Sequence, residues 1–275
     1  MSDLISVIVS TYNRADALDA VLRSLARQTD ANFEIVVADD GSGPETAAMI
    51  AAWTSRLPMP LKHVWQEDLG FRPAESRNRA IRASAGAYVI FLDGDCIAAP
   101  DFVAAHRALA EPGYFVAGNR VLLTEALTAR VFAEKLEPES WTLMDWLARR
   151  MRGEANRVAP LVSLPLGPLR KIAPARWEGA RTCNLAVARA DLDRVDGFDT
   201  NFSGWGLEDS DLAIRLIHAG ARRKDGRYAT GVFHLWHKEA DRGSLADNKV
   251  RLDEVIRSNR VRAMRGLSAL DKVSA

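Results

Sequence analysis

Short apolar runs alternate with helical patterns along the first part of this chain, and this alternation constrains its fold most. The apolar runs are rich in β-branched residues and cover residues 5–9, 33–38, 61–65 and 88–92. Apolar residues at helical spacing follow them, as at residues 15–27 and 74–84. Strands joined by helices form βαβ units, in which the strands run parallel and helices cover the sheet. The pattern therefore predicts an α/β fold with a doubly wound, mostly parallel sheet.

The second half of the chain has a different pattern. It predicts helical structure over 125–151, a short strand at 182–188, a helix over 208–219, a strand at 228–233 and a basic helix from about residue 245. Nothing near residue 120 resembles a flexible linker. We therefore expect one compact domain with two functional halves, residues 1–120 and 121–275, the second carrying a C-terminal helical extension.

Composition excludes several classes of protein. The 37 Lys and Arg residues balance 36 Asp and Glu residues, whereas nucleic-acid binding needs a basic surface. Cys96 and Cys183 are too few for a disulfide framework. The first residues, with an acid at Asp3, do not match a signal peptide, and no apolar run approaches the ~20 residues that span a bilayer. We expect a cytoplasmic protein without a nucleic-acid partner or a transmembrane segment.

Polar side chains follow the predicted strands at the edge where open parallel sheets bind ligands. Asp and Ser are also ordinary turn and cap residues, so one such residue alone is weak evidence. The Asp93-Gly94-Asp95 sequence is stronger, because its two carboxylates directly follow the most apolar run of the chain. Oxygen ligands at this spacing suit Mg²⁺ or Mn²⁺, which also bind the oxygens of a diphosphate. The sequence predicts a divalent cation at this edge.

A second acidic group lies at residues 208–211. Acids in the first turn of a helix are favoured by its dipole, which accounts for them without any function. The dipole does not explain the preceding Gly204-Trp205-Gly206. The indole of Trp205 offers a flat face on which a sugar ring can stack, and a nearby carboxylate can then serve as a general base. His234 follows a strand-like run, and its imidazole suits either a structural role or a manganese-type ion.

Taken in order, residues 6–14, 36–42, 75–81 and 91–95 resemble family 2 glycosyltransferases with the GT-A fold. Residues 182–187 and 204–209 are similar to the acceptor half of chondroitin-polymerase-type and galactosyltransferase-type members. The resemblance implies nucleotide binding by Ser10, Tyr12, Arg14, Asp40, Arg77 and Asp93, with uracil at Ser10, Tyr12 and Asp40. It implies metal binding by Asp93, Asp95 and His234, and acceptor binding by Trp205, Gly206 and Glu208. Asp209 would be the catalytic base, and we expect its pKa to be ordinary or modestly raised.

The implied activity is a metal-dependent, inverting transfer of a sugar from a nucleotide donor, with UDP as the expected nucleotide. The expected acceptor is a hydroxyl of a glycan or a lipid-linked glycan in polysaccharide biosynthesis, and the cofactor is Mn²⁺ or Mg²⁺. Residues 1–120 would bind the nucleotide sugar and residues 121–275 the acceptor. The basic stretch 141–177 is open to four interpretations: a solvated surface, a lid, an acceptor platform, or a peripheral contact with the inner face of a membrane.

Two other functions compete with this interpretation. A nucleotidyltransferase that makes sugar nucleotides shares the α/β layout, but it needs a glycine-rich basic loop after its first strand. This chain has Ser10, Tyr12 and Arg14 there instead. A non-catalytic protein that binds sugar nucleotides is the other alternative, because a fold alone does not establish activity.

Overall fold

The computed structural model describes residues 4–238 and 241–272, so the outermost ends of the two predicted halves lie outside it. Its strands are β1 (Ile5–Thr11), β2 (Phe33–Asp39), β3 (Leu61–Trp65), β4 (Tyr88–Asp93), β5 (Cys96–Ala98), β6 (Tyr114–Ala117), β7 (Val121–Leu122), β8 (Leu185–Ala188), β9 (Arg222–Asp225) and β10 (Val232–His234). Its α-helices are α1 (Ala15–Leu25), α2 (Pro44–Thr54), α3 (Pro73–Ala83), α4 (Phe102–Leu109), α5 (Glu125–Ala133), α6 (Leu143–Met151), α7 (Arg189–Val195), α8 (Glu208–His218) and α9 (Leu245–Ser258). All four strands predicted in the first half are present.

Seven strands form the main sheet in the order β3-β2-β1-β4-β8-β6-β9. The first four are parallel to one another, and β8 is antiparallel to both β4 and β6. Within β1, Val7 and Val9 belong to one buried cluster and Ile8 belongs to another. Alternate side chains of a strand point to opposite faces, so both faces of this sheet are covered. The prediction of a mostly parallel α/β sheet with flanking helices is confirmed.

A second, smaller sheet has the order β5-β10-β7. In it β10 runs antiparallel to β5, which places His234 opposite Cys96. The backbone N–H of Leu235 also donates to the carbonyl of Asp95 at 2.9 Å. Because β5 and β10 come from opposite halves of the sequence, this ladder brings the two predicted halves together.

Three predicted elements differ from the structure. The helical structure expected over 125–151 is divided into two helices, α5 and α6, because the chain turns at Lys135 (φ 51°) and Pro138 occupies the connection. The strand expected from residue 182 begins at Leu185, after a 3-10 turn. The strand expected from residue 228 begins at Val232, because Tyr228 has a left-handed backbone with φ 60°. Among the described residues, no helix combines the length and the apolar character needed to cross a bilayer.

Candidate functional site

A buried arginine connects the ends of two parallel strands to the second half of the chain. Arg77 lies on α3, whose first turn contains Pro73, a residue suited to that position. Its Nε donates to Ser10 Oγ at 3.0 Å, and its Nη2 lies 3.4 Å from Asp93 Oδ1. Its Nη1 donates to Glu208 Oε1 at 2.8 Å. Three residues predicted for the site therefore surround the guanidinium of a fourth, Arg77.

Opposite charges in this group offset the effect of burial on the pKa of their neighbours. Burial opposes the charged form of Arg77, but Glu208 and Asp93 raise its pKa above the ordinary value. Burial also raises the pKa of Asp93, and the neighbouring Asp95 adds to this effect while Arg77 opposes it. The carboxylates of Asp93, Asp95 and Glu208 outnumber the one guanidinium among them, that of Arg77. Such an excess of negative charge favours binding of a further cation.

Asp95 faces two histidines, and these three residues form a candidate metal centre. Asp95 Oδ1 lies 3.6 Å from His234 Nε2, and Asp95 Oδ2 lies 3.3 Å from His237 Nε2. One ligand atom from each of the three residues lies within 4.8 Å of the others. A second possible group joins Asp93 and Asp95 to Cys96. One carboxylate with two imidazoles is a donor set that suits manganese-type ions.

Of the two histidines in residues 232–237, only His234 was selected from the sequence as a ligand, because the spacing of His237 from it carries no signal until the ring positions are known. The two imidazole centroids are 5.1 Å apart. Burial lowers the pKa of His234 to about 4, although Asp95 opposes this effect. The ring is therefore neutral at physiological pH, which is the protonation state that binds a metal.

Asp209 follows Glu208, the partner of Arg77, at the start of α8, and its carboxylate accepts from the backbone N–H of its neighbour Ser210 at 2.7 Å. Burial raises the pKa of Asp209 to about 7, and the adjacent Glu208 adds to this effect, while Arg77 opposes it. The expectation of an ordinary or modestly raised pKa is wrong. The reason is desolvation together with a like charge next to it. A carboxyl that titrates near neutrality is well matched to accept a proton.

Asp40 follows β2 and is almost completely buried. It accepts hydrogen bonds from Gln66 Nε2 at 2.5 Å and from the backbone N–H of Arg72 at 2.7 Å. Burial raises the pKa of Asp40, and these two bonds oppose the rise. The preceding Asp39 is bonded to Ser42 and His63 instead, so its role is to shape the turn.

Tyr12 and Arg14 lie in the loop after β1. The Tyr12 hydroxyl donates to Asp68 at 2.8 Å, and this bond raises the pKa of the tyrosine. Arg14 pairs with Asp16 at 3.0 Å and lies over the ring of Phe132, so its contacts differ from those of Arg77. Burial is the main cause of the lowered pKa of His234, and the charge of Arg14 adds to it.

The loop before α8 has an unusual backbone. Gly204 and Gly206 have φ values of 67° and 100°, and Leu207, which caps α8, has φ 77°. Buried Asn248 of α9 donates to the carbonyls of Ser203 and Gly206 at 3.0 and 2.9 Å. These bonds hold the left-handed loop against α9 and fix where α8 begins.

Trp205 projects from this loop, and the guanidinium of Arg242 lies 4.8 Å from the centre of its ring. One cation therefore already lies near the indole that the sequence assigns to an acceptor sugar.

Arg120 is a second residue that sequence reasoning missed. Burial opposes its charge, but Asp93, Asp95 and the two buried cysteines raise its pKa. The same guanidinium influences the pKa of His234. Arg120 is thus a cation beside the carboxylates, where a diphosphate bound by the metal would need one. An isolated arginine between strands carries no motif that the sequence could reveal.

Two family profiles match the chain. Residues 6–158 match the family described as Glycosyl transferase family 2, and residues 172–238 match the N-terminal domain of galactosyltransferase. The first match covers more than half of the chain and includes the ends of β1, β2 and β4. The second includes the start of α8 and all of β10.

Curated relatives extend the similarity over most of the chain. Validoxylamine A glucosyltransferase of Streptomyces hygroscopicus subsp. jinggangensis is 33% identical over 93% of this chain and 61% of its own length. The chondroitin synthase of Escherichia coli is 27% identical over 79% of this chain and 33% of its own length. The chain therefore spans less than two thirds of the length of these relatives.

Solved structures share the fold. The mannosyltransferase PcManGT of Pyrobaculum calidifontis, in complex with GDP-Man and Mn²⁺, superimposes with a TM-score of 0.59 at 23% identity, over 86% of this chain and 57% of its own. Residues 1–349 of TarS of S. aureus, in complex with UDP-GlcNAc, superimpose with a TM-score of 0.62 at 17% identity, over 98% of this chain and 69% of the TarS chain. These likenesses confirm the predicted GT-A fold.

Proposed function

The chain belongs to glycosyl transferase family 2, and from this membership we propose that it is a metal-dependent, inverting glycosyltransferase. The proposed donor is a UDP-sugar, and the proposed acceptor is a hydroxyl of a glycan or lipid-linked glycan in polysaccharide biosynthesis. Residues 1–120 would bind the donor, and residues 121–275 would bind the acceptor and supply the base.

One observation carries the proposal. Arg77 contacts Asp93, at the edge of the sheet where nucleotides bind, and Glu208, next to the proposed base. A donor held at Asp93 and a proton acceptor at Asp209 would therefore lie near the same guanidinium. This is the arrangement that direct transfer between two bound substrates requires, because reacting groups must be held together.

The proposed cofactor is Mn²⁺ or Mg²⁺. Asp95, His234 and His237 would hold the ion, with Asp93 beside them, and their combination of oxygen and imidazole ligands fits such an ion. When bound, the metal supplies positive charge that stabilises the leaving diphosphate. The guanidinium of Arg120 would add charge from the protein on the same side.

The remaining chemistry belongs to the residues of the chain. Asp209 would take the proton of the acceptor hydroxyl as its oxygen bonds to the anomeric carbon, while the bond from that carbon to the diphosphate breaks. A single displacement of this kind inverts the anomeric configuration. Glu208 and Trp205 would orient the acceptor, and Asp40 with Ser10 and Tyr12 would hold the uracil. A carboxylate in this position can accept the N–H of the base.

The names of related proteins support the donor class. One structural neighbour was solved with UDP-GlcNAc and another with GDP-Man and Mn²⁺, so nucleoside diphosphate sugars bind to this fold. The acceptor class rests on relatives that are named as a glucosyltransferase and a chondroitin synthase. Because a lipid-linked acceptor lies at a membrane, we also propose a peripheral contact with the inner face of the membrane.

Thermal unfolding with nucleotide sugars tests the donor and the metal together. UDP-, GDP-, TDP- and CMP-sugars would be added with and without Mn²⁺. At about a hundred times Kd, a ligand that binds only the folded state contributes about 2.7 kcal/mol. For a domain of this size we expect a rise in Tm of about 5–10 °C for a UDP-sugar with Mn²⁺.

Asp95→Ala and His237→Ala should each remove the manganese-dependent part of this rise. The matched control is Asp101→Ala, which deletes an exposed carboxylate outside the metal centre. An equal rise in Asp95→Ala, or a rise that never needs a metal, would contradict the proposed centre. Binding of the donor without transfer or hydrolysis would favour the non-catalytic alternative.

A further inference from the structure

Helix α6 presents apolar side chains to solvent. Met144 and Met151 are 73% and 85% exposed, and Leu143 and Leu147 are also exposed. These four residues are here called the α6 face. Met144, Leu147 and Met151 are spaced three or four positions apart, and Leu143 lies one turn before Leu147, so all four lie on one side of the helix. Single exposed apolar residues are common, but four on one helical face are a recognised mark of an interaction surface.

The rest of the helix is firmly held, so this face has a fixed orientation. Thr142 and Asp145 form a capping box at the N-terminus of the helix. On the opposite side, buried Trp146 stacks on Phe233 with ring centroids 4.5 Å apart and planes 7° from parallel. Phe233 belongs to β10, the strand that carries His234, so the α6 face is mounted on the framework of the candidate site.

The charges next to the face are positive. Arg150 and Arg152 are exposed, and in residues 4–238 and 241–272 neither side chain forms an ion pair. Arg149, by contrast, packs on Trp141 and pairs with Glu154. The acid of the helix, Asp145, is bound to the N-cap Thr142 at the other end. The end that carries Met151 is therefore apolar and cationic.

We propose that the α6 face docks on the surface of a bilayer that contains anionic phospholipids. Met144, Leu147 and Met151 would enter the region between headgroups and acyl chains, while Arg150 and Arg152 contact the phosphates. Charge favours this occupant over an apolar protein groove, which would leave both guanidinium groups uncompensated. The proposal rests on the peripheral membrane contact proposed above and names the surface and the lipid class.

Co-sedimentation of the full chain with vesicles tests this surface without any activity measurement. Vesicles of phosphatidylglycerol with phosphatidylcholine are compared with vesicles of phosphatidylcholine alone. Each basic residue near an anionic surface is worth about fivefold in affinity, so Arg150→Ala with Arg152→Ala should weaken binding about 25-fold. Met144→Asp with Met151→Asp should weaken it by about tenfold or more.

Matched controls separate the surface from net charge and from exposed methionine in general. Arg251→Ala with Arg257→Ala removes two exposed cations from α9, and Met264→Asp alters a methionine that is 71% exposed elsewhere. Both controls should bind vesicles like the parent chain. Equal weakening by the controls, equal binding to phosphatidylcholine alone, or no binding to anionic vesicles would overturn the proposal. None of these results bears on sugar transfer, which is measured separately with soluble substrates.

Discussion

Two acids in the first turn of α8, Asp209 and Asp211, have opposite surroundings. Asp211 is fully buried and accepts from Arg215 Nη2 at 2.6 Å and from its Nε at 2.8 Å. Arg215 is equally buried, and its remaining nitrogen donates to the carbonyl of Val195. Asp209 accepts from the backbone and hydroxyl of Ser210 and is only partly buried. Burial raises the pKa of both carboxyls, yet only Asp211 has an arginine bonded to it.

The difference teaches how to separate a structural acid from a chemical one. An acid whose charge is matched inside the core holds the fold together, and removing it leaves the partner charge exposed to an apolar medium. An acid with a local serine and a pKa near neutrality can gain or lose a proton while the structure stays the same. The two acids are separated by one residue, so their distance along the chain says nothing about this division of roles.

Changing Asp209 should have the largest effect on activity. In Asp209→Asn the amide oxygen still accepts from Ser210, but it cannot take a proton from an acceptor. We expect transfer to fall by about 10²–10⁴-fold, the usual contribution of a general base, with binding of UDP unchanged. Initial rates and calorimetry measure the two quantities. Equal loss of transfer and of UDP binding would mean that Asp209 is structural and would remove the contrast.

Changing Asp211 should affect stability instead. Asp211→Asn leaves Arg215 without its matching charge, and we expect a loss of about 3–5 kcal/mol in the free energy of unfolding. Urea unfolding measures this loss, while transfer per folded molecule should stay close to that of the parent. Asp211→Leu with Arg215→Met removes both charges and should recover much of the stability. If Asp211→Asn stayed as stable as the parent but lost transfer, the structural role assigned to Asp211 would be wrong.

The pH dependence of stability gives a smaller effect that sharpens the contrast. The pKa of Asp209 is about 7 in the folded chain, whereas that of an unperturbed aspartate is 3.8, so between these values the folded state holds a proton that the unfolded state has released. Its contribution to stability is fully present below pH 4 and is lost as pH rises to 7. An asparagine side chain does not titrate, so the stability of Asp209→Asn does not fall in this way as pH rises.

We therefore expect the Tm of Asp209→Asn to match the parent near pH 4 and to exceed it above pH 7. The corresponding difference in the free energy of unfolding should be at most about 4 kcal/mol, because the pKa rises from 3.8 to about 7 and each pKa unit is worth about 1.4 kcal/mol. Partial exposure of the side chain reduces this value through screening by solvent. Thermal scans across this pH range measure it, with Asp101→Asn as the exposed control. A Tm difference that does not change with pH would show that the carboxyl titrates normally.

Local patterns explain why the first half of the fold could be predicted. Strands β1 to β4 are short apolar runs bounded by polar turns, and their spacing is set by neighbouring residues. Strand β9 has the sequence Arg-Arg-Lys-Asp and carries no strand pattern. The strand lies at the edge of the sheet, where charged side chains are tolerated. The guanidinium of Arg223 donates to the backbone carbonyl of Glu178 at 2.6 Å. Such pairing over long distances cannot be read from local periodicity.

The same limit applies to the candidate site. Asp93, Asp95 and Asp209 could be singled out because they occur in motifs next to predicted elements. His237 and Arg120 could not, since their importance comes from strands that pair across the two halves. The pKa of Asp209 was misjudged because desolvation depends on packing around α8, and the sequence does not report packing.

The pairing of β5 with β10 has a consequence for how the molecule is made. Asp95 and His234 lie in opposite halves of the chain and meet only when this ladder closes. Contacts between distant residues form late because a long loop must be closed first. On the ribosome the parallel strands emerge well before the histidines do. We expect a nascent chain that ends before residue 232 to form the parallel strands but to bind a divalent cation more weakly than the longer chain, because His234 and His237 are still missing from it.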